Sequence, residues 1–448
     1  MKSRPENLTC CDADMNRRAF IRVGYLSLLG VGVADYLRAQ SAHPAAGAGS
    51  GPKGRAQGCI LIWLEGGPSQ VDTWDPKPSS SFRPIATNVP GIQISSLLPR
   101  TARHMDKLAL IRSMRTEESN HPQATYYALT GHRATAAMQF PSVGAIITRE
   151  LGGRNNVPPH LVVPGWKSGA YQEYLKGAFL GPACDPMAVP DPNQEGFHVE
   201  DLSLPKTLAP ERLEDRRSFL QVVDRFYRSK VETAEYRSMD GFSQQALQMV
   251  TSPAVRAAFD LGGEPAKLRD AYGRNTFGQT LLLSRRLIEA GGRFVTAAGH
   301  NLNGWDTHSD NDKRHGEKLV PGLDQSLPVL LEDLHERGLL DSTLVLVMGE
   351  FGRTPHLNSK NGRDHWPACW SLAIGGGGLR GGQVIGASDE RGGQVADRMV
   401  TMGDLFATLY KALGIDWRKE YPSPIGRPIK IANSIGDKTG EVIHELIA

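Results

Sequence analysis

Along this chain, short uninterrupted apolar runs alternate with stretches whose apolar residues recur every three or four positions. The runs at 59–64, 108–111, 160–163, 293–297 and 343–348 are each too short for a helix and apolar on both sides. That pattern predicts parallel strands covered on both faces. Between them, Phe277, Leu281 and Ile288 form a helical stripe that stops at Gly291. Leu319, Leu323, Leu327, Leu330, Leu331 and Leu334 form a second, ending at Gly338 and expected to bend near Pro328. A third starts at Thr401 as N-cap, with Asp404 three residues on and Val400 set to staple against Leu405, and ends at Gly414. This rhythm predicts an α/β fold, a three-layer αβα sandwich with a mostly parallel sheet, as a single domain over 55–435. The less regular, helix-rich stretch at about 185–275 reads as an insertion or cap. Ligands of such sheets collect at the carboxyl ends of the strands.

The N-terminal segment stands apart from that rhythm. Asn16-Arg17-Arg18-Ala19-Phe20-Ile21-Arg22 looks like a twin-arginine export signal. The modestly apolar stretch 23–34 behind it falls well short of the roughly 20 residues that span a bilayer. Residues 1–48 are therefore expected to be a signal peptide and linker, with cleavage between Ala39 and Ala48 and a periplasmic or extracytoplasmic mature protein. Formal net charge is +3, and the leader's own excess of basic groups leaves the remainder near neutrality. Nothing in that balance suits nucleic acid or an anionic membrane surface, and no stable membrane span is expected in the mature form. Cys59, Cys184 and Cys369 are scattered, with no CxxC knuckle and no disulfide scaffold.

The chemistry concentrates late in the chain, where six of 13 histidines fall between residues 300 and 365. Gly304-Trp305-Asp306-Thr307-His308 follows the strand at 293–297. Asp306 and His308, two apart in extended backbone, could share one cation. Gly349-Glu350-Phe351-Gly352-Arg353 follows the strand at 343–348, so Glu350 is an acid at a strand end, costly there unless paired or metal-bound. Gly362-Arg363-Asp364-His365-Trp366 forms a third cluster. Mixed carboxylates and imidazoles suit zinc, manganese or calcium. Each cluster has a plainer reading: a chance Asp-x-His, a Glu350–Arg353 pair on the rim, a turn with a solvated His365. His315 and His335 flank a helix and are expected on the surface, with His300 as a supporting group. After the first strand, Gly66-Gly67-Pro68-Ser69-Gln70-Val71-Asp72 offers a close backbone approach and another oxygen ligand in Asp72 or Glu65. It lacks a nucleotide-binding fingerprint.

Taken together, GGPSQVDTWDPKP (66–78), NHPQATYYALTGH (120–132), GWDTH (304–308), GEFGRTP (349–355) and GRDHW (362–366) resemble the domain of unknown function 1501 family over nearly the whole mature chain. That family is similar to the alkaline phosphatase and sulfatase superfamily. The resemblance implies an alkaline phosphatase-like fold, one or two divalent metals, and hydrolysis of phosphate or sulfate esters through a covalent oxygen nucleophile. Leu129-Thr130-Gly131 is similar to the end of the sulfatase segment that opens with the nucleophile, which puts that place on or near His121. The Cys or Ser followed by Pro and Arg is missing. Cys184-Asp185-Pro186-Met187-Ala188 begins like it but carries Ala where Arg is required, so Cys184 reads as a buried thiol. Glu350 takes the strand end where the superfamily offers Asp, and His365 resembles its late metal-binding histidine.

The leading expectation is thus an exported metal-dependent hydrolase of a small phosphorylated, sulfated or related anionic ester. Asp306, His308 and His365 hold one ion, while Glu350, Asp364 and Asp72 hold a second or complete the coordination. Arg353 clamps the anion. His121 serves as nucleophile, base or extra ligand, with Ser119, Thr116 and Thr125 as fallback hydroxyls. The alternatives are a binding protein on the same fold that has lost its nucleophile, and a protein whose ions are purely structural. Composition says nothing of oligomeric state.

Overall fold

The computed structural model describes residues 54–165, 173–199, 252–298 and 304–447. The twin-arginine segment, most of the expected insertion and His300 lie outside them.

Among the described residues, eight strands form the central sheet: β1 (Gly58–Trp63), β2 (Leu108–Met114), β3 (His160–Val163), β4 (Met187–Ala188), β5 (Phe294–Ala297), β6 (Thr343–Met348), β7 (Trp370–Gly376) and β8 (Gln383–Ile385). Their spatial order is β8-β2-β7-β6-β1-β5-β3-β4. Only β7 runs antiparallel, wedged between β2 and β6. The five expected strands are all present. Every residue of β1 and β6 is buried, because helices cover both faces.

Alternation within the strands divides the core into two layers. Ile60, Ile62, Val345 and Val347 face one side and pack with α3 (Thr276–Ala290) and α4 (Val320–Glu336). Cys59, Leu61, Leu344 and Leu346 face the other and pack with α1 (His121–Thr130), α2 (Val143–Leu151) and α5 (Met402–Ala412). The expected three-layer sandwich is the observed one. Local signals placed the helix ends. Gly291 closes α3, and Thr401 with Asp404 makes a reciprocal capping box at α5. α4 continues through Pro328, which packs into the core.

One expectation fails, and one strand carried no signal in the sequence. His315 is fully buried, not on the surface: the chain enters α4 through a π-helical turn that turns its ring inward. There Nδ1 donates to the Asn311 carbonyl at 3.0 Å and the ring meets Trp305 edge-on. β7 was not foreseen, since its run of Ser371-Leu372-Ala373-Ile374 passes straight into glycines and mimics a loop. Among the described residues no helix is long and apolar enough to cross a membrane.

His160 at the start of β3 gives the core an acid-sensitive point. It is wholly buried, donates from Nδ1 to the Cys184 carbonyl at 3.1 Å, and meets Phe294 edge-on. Burial pushes its pKa down to about 4, against about 6.5 in an unfolded chain. Because the neutral form is the one stabilised, that contribution is complete above the unfolded value and is lost as pH falls through about 4. His160→Gln should therefore flatten the acid limb of stability between those values by on the order of 3 kcal/mol. Denaturant midpoints measured across that range for both proteins check this.

Candidate metal centre

The carboxyl ends of β1, β5 and β6 lie side by side, and the loops leaving them meet the start of α1. His121 opens α1, Glu350 follows β6 by two residues, and Asp306 and His308 come from the loop after β5. His365 arrives on a two-residue ribbon, His365–Trp366, paired with Gly352–Arg353. Four stretches distant in sequence are thus gathered at the place where open α/β sheets keep their ligands.

Three imidazoles surround one carboxylate. His121 Nε2 lies 3.3 Å from Asp306 Oδ2, without the alignment of a hydrogen bond. His308 Nε2 and His365 Nε2 each lie 3.2 Å from Asp306 Oδ1, and 2.9 Å from each other. His121, Asp306 and His365 each bring one donor atom within 4.8 Å of the others.

Behind the rings, each Nδ1 is occupied. His121 Nδ1 donates to Glu350 Oε1 at 2.6 Å, His308 Nδ1 to Asp364 Oδ1 at 2.7 Å, and His365 Nδ1 to the Ser119 carbonyl at 2.6 Å. A carbonyl or carboxylate can only accept, so the proton sits on Nδ1 and the Nε2 lone pair of a neutral ring faces inward. Phe351, fully buried, walls the group, with its ring centroid 4.5 Å from His365 and 5.1 Å from His121.

The electrostatics follow from this crowding. Burial works against a charged His121, but the close carboxylates of Asp306 and Glu350 outweigh it and push the ring up to about 9. Burial likewise favours a neutral Asp306, yet contacts with His121, His365 and Arg353 hold its carboxyl far below the usual carboxylate range. A donor set of imidazole nitrogens and one carboxylate, with lone pairs converging and Nδ1 positions anchored, fits a divalent ion of the zinc or manganese kind. Calcium, which takes oxygen ligands, fits it poorly.

A family model described as "Protein of unknown function (DUF1501)" matches residues 56–447. The chain belongs to the DUF1501 family. No curated protein matches it. Among solved structures, this DUF1501 chain is similar to the lipoteichoic acid synthase LtaP from Listeria monocytogenes (11% identity, 92% of this chain and 83% of that one, TM-score 0.39). It is also similar to a protein in the alkaline phosphatase superfamily from Vibrio parahaemolyticus (10% identity, 88% and 76%, TM-score 0.40). A third is the alkaline phosphatase from the Antarctic bacterium TAB5 (11% identity, 81% and 99%, TM-score 0.37).

Of the residues singled out from the DUF1501 sequence, His121, Asp306, His308 and His365 converge, and Glu350 and Asp364 stand behind them as hydrogen-bond partners. Glu350 does not pair with Arg353. Its oxygens accept from the Gly66 amide at 3.0 and 3.2 Å as well as from His121. Asp72 lies apart from the cluster. Fully buried, it pairs with Arg363 Nε at 2.8 Å and accepts from Ser69, Ser80 and Asn311. Burial would raise its pKa, but Arg363, the nearby His315 and the two serine hydroxyls hold it below the usual range.

Arg353 is not free to clamp an anion. Its buried guanidinium donates to the carbonyls of Gly66, Gly67 and Arg363 and to Asp306 Oδ1 at 2.7 Å. Gly66, at φ +110°, makes this possible: a Cβ there would lie 2.4 Å from the Asp306 amide. Ser119 contributes only its carbonyl, while the Thr116 and Thr125 hydroxyls are buried. Cys184 is a buried thiol, raised by burial to about 12. Sequence reasoning missed the Ser119 carbonyl, Phe351 and Gln70. Gln70 holds Arg353 by its backbone in both directions. Main-chain groups leave no signature in side-chain identity.

Asp72→Asn leaves Arg363 buried without its counter-charge and should cost roughly 3–5 kcal/mol, read by thermal or denaturant melting. Metal stoichiometry of the folded variant should match the parent, because Asp72 touches none of the converging donors.

Proposed function

We propose that this protein is an exported hydrolase, dependent on a divalent metal, that acts on phosphate, sulfate or related anionic esters. The observation that carries this reading is the set of three inward-facing Nε2 atoms around the Asp306 carboxylate, at the carboxyl ends of adjoining strands. His121, Asp306, His308 and His365 hold the ion. A bound divalent ion polarises an ester oxygen and acidifies water. Export rests on the Arg17-Arg18 leader alone.

The chain's own groups do the positioning. Glu350 holds the His121 Nδ1 proton and so keeps Nε2 in its lone-pair form. Asp364 does the same for His308. Arg353 fixes the rotamer of Asp306, and together with His121 and His365 it keeps that carboxylate ionised. Phe351 excludes water from one side of the rings, which strengthens every electrostatic contact there.

A second reading, a metal-binding protein without ester turnover, draws support from Arg353. The guanidinium best placed to hold a phosphate or sulfate group is fully engaged with three carbonyls and Asp306.

Metal analysis of the purified protein, paired with a panel of aryl phosphate, phosphodiester and aryl sulfate esters, separates the two. The hydrolase reading expects stoichiometric metal, turnover of at least one ester, and loss of both in His365→Ala, whose metal affinity should fall by at least roughly a hundredfold. Stoichiometric metal with no turnover on any ester leaves the binding role. Unfolding by chelator alone points to a structural ion. No metal at all sinks both readings.

A further inference from the structure

The four converging donors are not held alike. The side chains of His121, His365 and Asp306 are 13%, 19% and 23% exposed, and the partners fixing His121 and Asp306, Glu350 and Arg353, are completely buried. His308 is 45% exposed and its partner Asp364 53%. Water competes for the exposed hydrogen bond and not for the buried ones.

The main chain beneath His308, by contrast, is tightly fixed. Gly362 packs against it so closely that a Cβ would lie 2.0 Å from the His308 carbonyl carbon and oxygen. Asn358 Nδ2 donates to the His308 carbonyl at 3.1 Å and to Asp364 Oδ1 at 3.0 Å. Its Oδ1 accepts from the Gly362 amide at 3.0 Å. The Arg363 amide donates to the Thr307 carbonyl at 2.8 Å. Beyond the cluster itself, where Nε2 meets His365 and Asp306, the exposed ring is tethered only through Asp364. On an anchored backbone it can move only by side-chain rotation, and that rotation uncovers the donor cluster from the solvent side.

We propose that His308 is the exchangeable arm of the centre. His121, Asp306 and His365 form the permanent seat of the cation, His308 swings away to admit a solvent or ester oxygen, and Asn358 positions the arm by holding both its backbone and Asp364. This rests on the cluster being the metal centre proposed above.

Cobalt(II) added to chelator-treated full-length protein is the probe, read by its visible absorption and by competition with a chelator. His308→Ala should keep stoichiometric cobalt, weakened roughly ten- to a hundredfold, with a shifted spectrum that added imidazole returns toward the parent's. His121→Ala should lose stoichiometric cobalt without rescue by imidazole, since its place is the least exposed of the four and is walled by Phe351. Asn358→Ala should speed cobalt release to the chelator at unchanged stoichiometry. The proposal is overturned if His308→Ala loses cobalt as completely as His121→Ala, or if imidazole leaves its spectrum unmoved. A parent protein that takes up no cobalt overturns the metal-centre reading itself, and the arm with it.

Discussion

Lone pairs that face one another must be separated by a positive charge. His308 Nε2 and His365 Nε2 stand 2.9 Å apart, both beside Asp306 Oδ1, while their protons are committed to Asp364 and to the Ser119 carbonyl. Such a group repels itself unless a proton or a cation sits among its members. The rise of His121 to about 9 is one face of this constraint, since the carboxylates recruit a proton where burial alone would expel it. A divalent ion meets the same demand without sacrificing any Nε2 lone pair. Edges of a tetrahedral zinc site, with bonds of roughly 2.0–2.2 Å, are only slightly longer than the spacings from Asp306 to each ring and between His308 and His365.

Holding repelling donors together requires a rigid frame, and the motifs that looked separate in sequence supply it jointly. Arg353 joins the end of β1, through Gly66 and Gly67, to the Arg363 carbonyl and to Asp306. Arg363 in turn joins Asp72 to the Thr354 and Pro355 carbonyls. Gln70 closes the frame by pairing with the Arg353 backbone. Two buried guanidiniums, each meeting several carbonyls and one carboxylate, use the fork geometry that lysine lacks. Their role is to fix loops, which explains why arginines beside a candidate site need not face its ligand.

How much of this was legible in the sequence depended on whether the signal was local. Apolar runs gave β1, β2, β3, β5 and β6, and Thr401 with Asp404 gave the start of α5, because strand burial and capping are written within a few residues. The converging residues were also legible, since carboxylates and imidazoles just past strand ends have few structural uses. What could not be read was which of them face inward. Asp72 and Glu350 are both buried acids in loops after strands, yet one meets Arg363 and the other His121. Only folding distinguishes them, through partners roughly 230–290 residues away. The antiparallel insertion of β7 is likewise decided by neighbours distant in sequence, whereas His315 is turned inward by a local π-helical turn that apolar spacing does not signal.

Charge balance links the frame to the kind of ligand the centre favours. The charged side chains that hydrogen-bond the donors are Glu350, Arg353 and Asp364, and Asp306 adds its own negative charge. Glu350, Asp306 and Arg353 form the less accessible part, which carries one excess negative charge when the imidazoles are neutral. A divalent ion reverses that sign and leaves one excess positive charge at the centre. Asp364 can offset it only from the exposed side, where solvent weakens the interaction. Each outward rotation of His308 would part the ring from that carboxylate and turn a net positive, partly desolvated ion toward solvent. On the proposed reading, an anionic ester is the ligand such a field would draw in, and a neutral one would gain little from it.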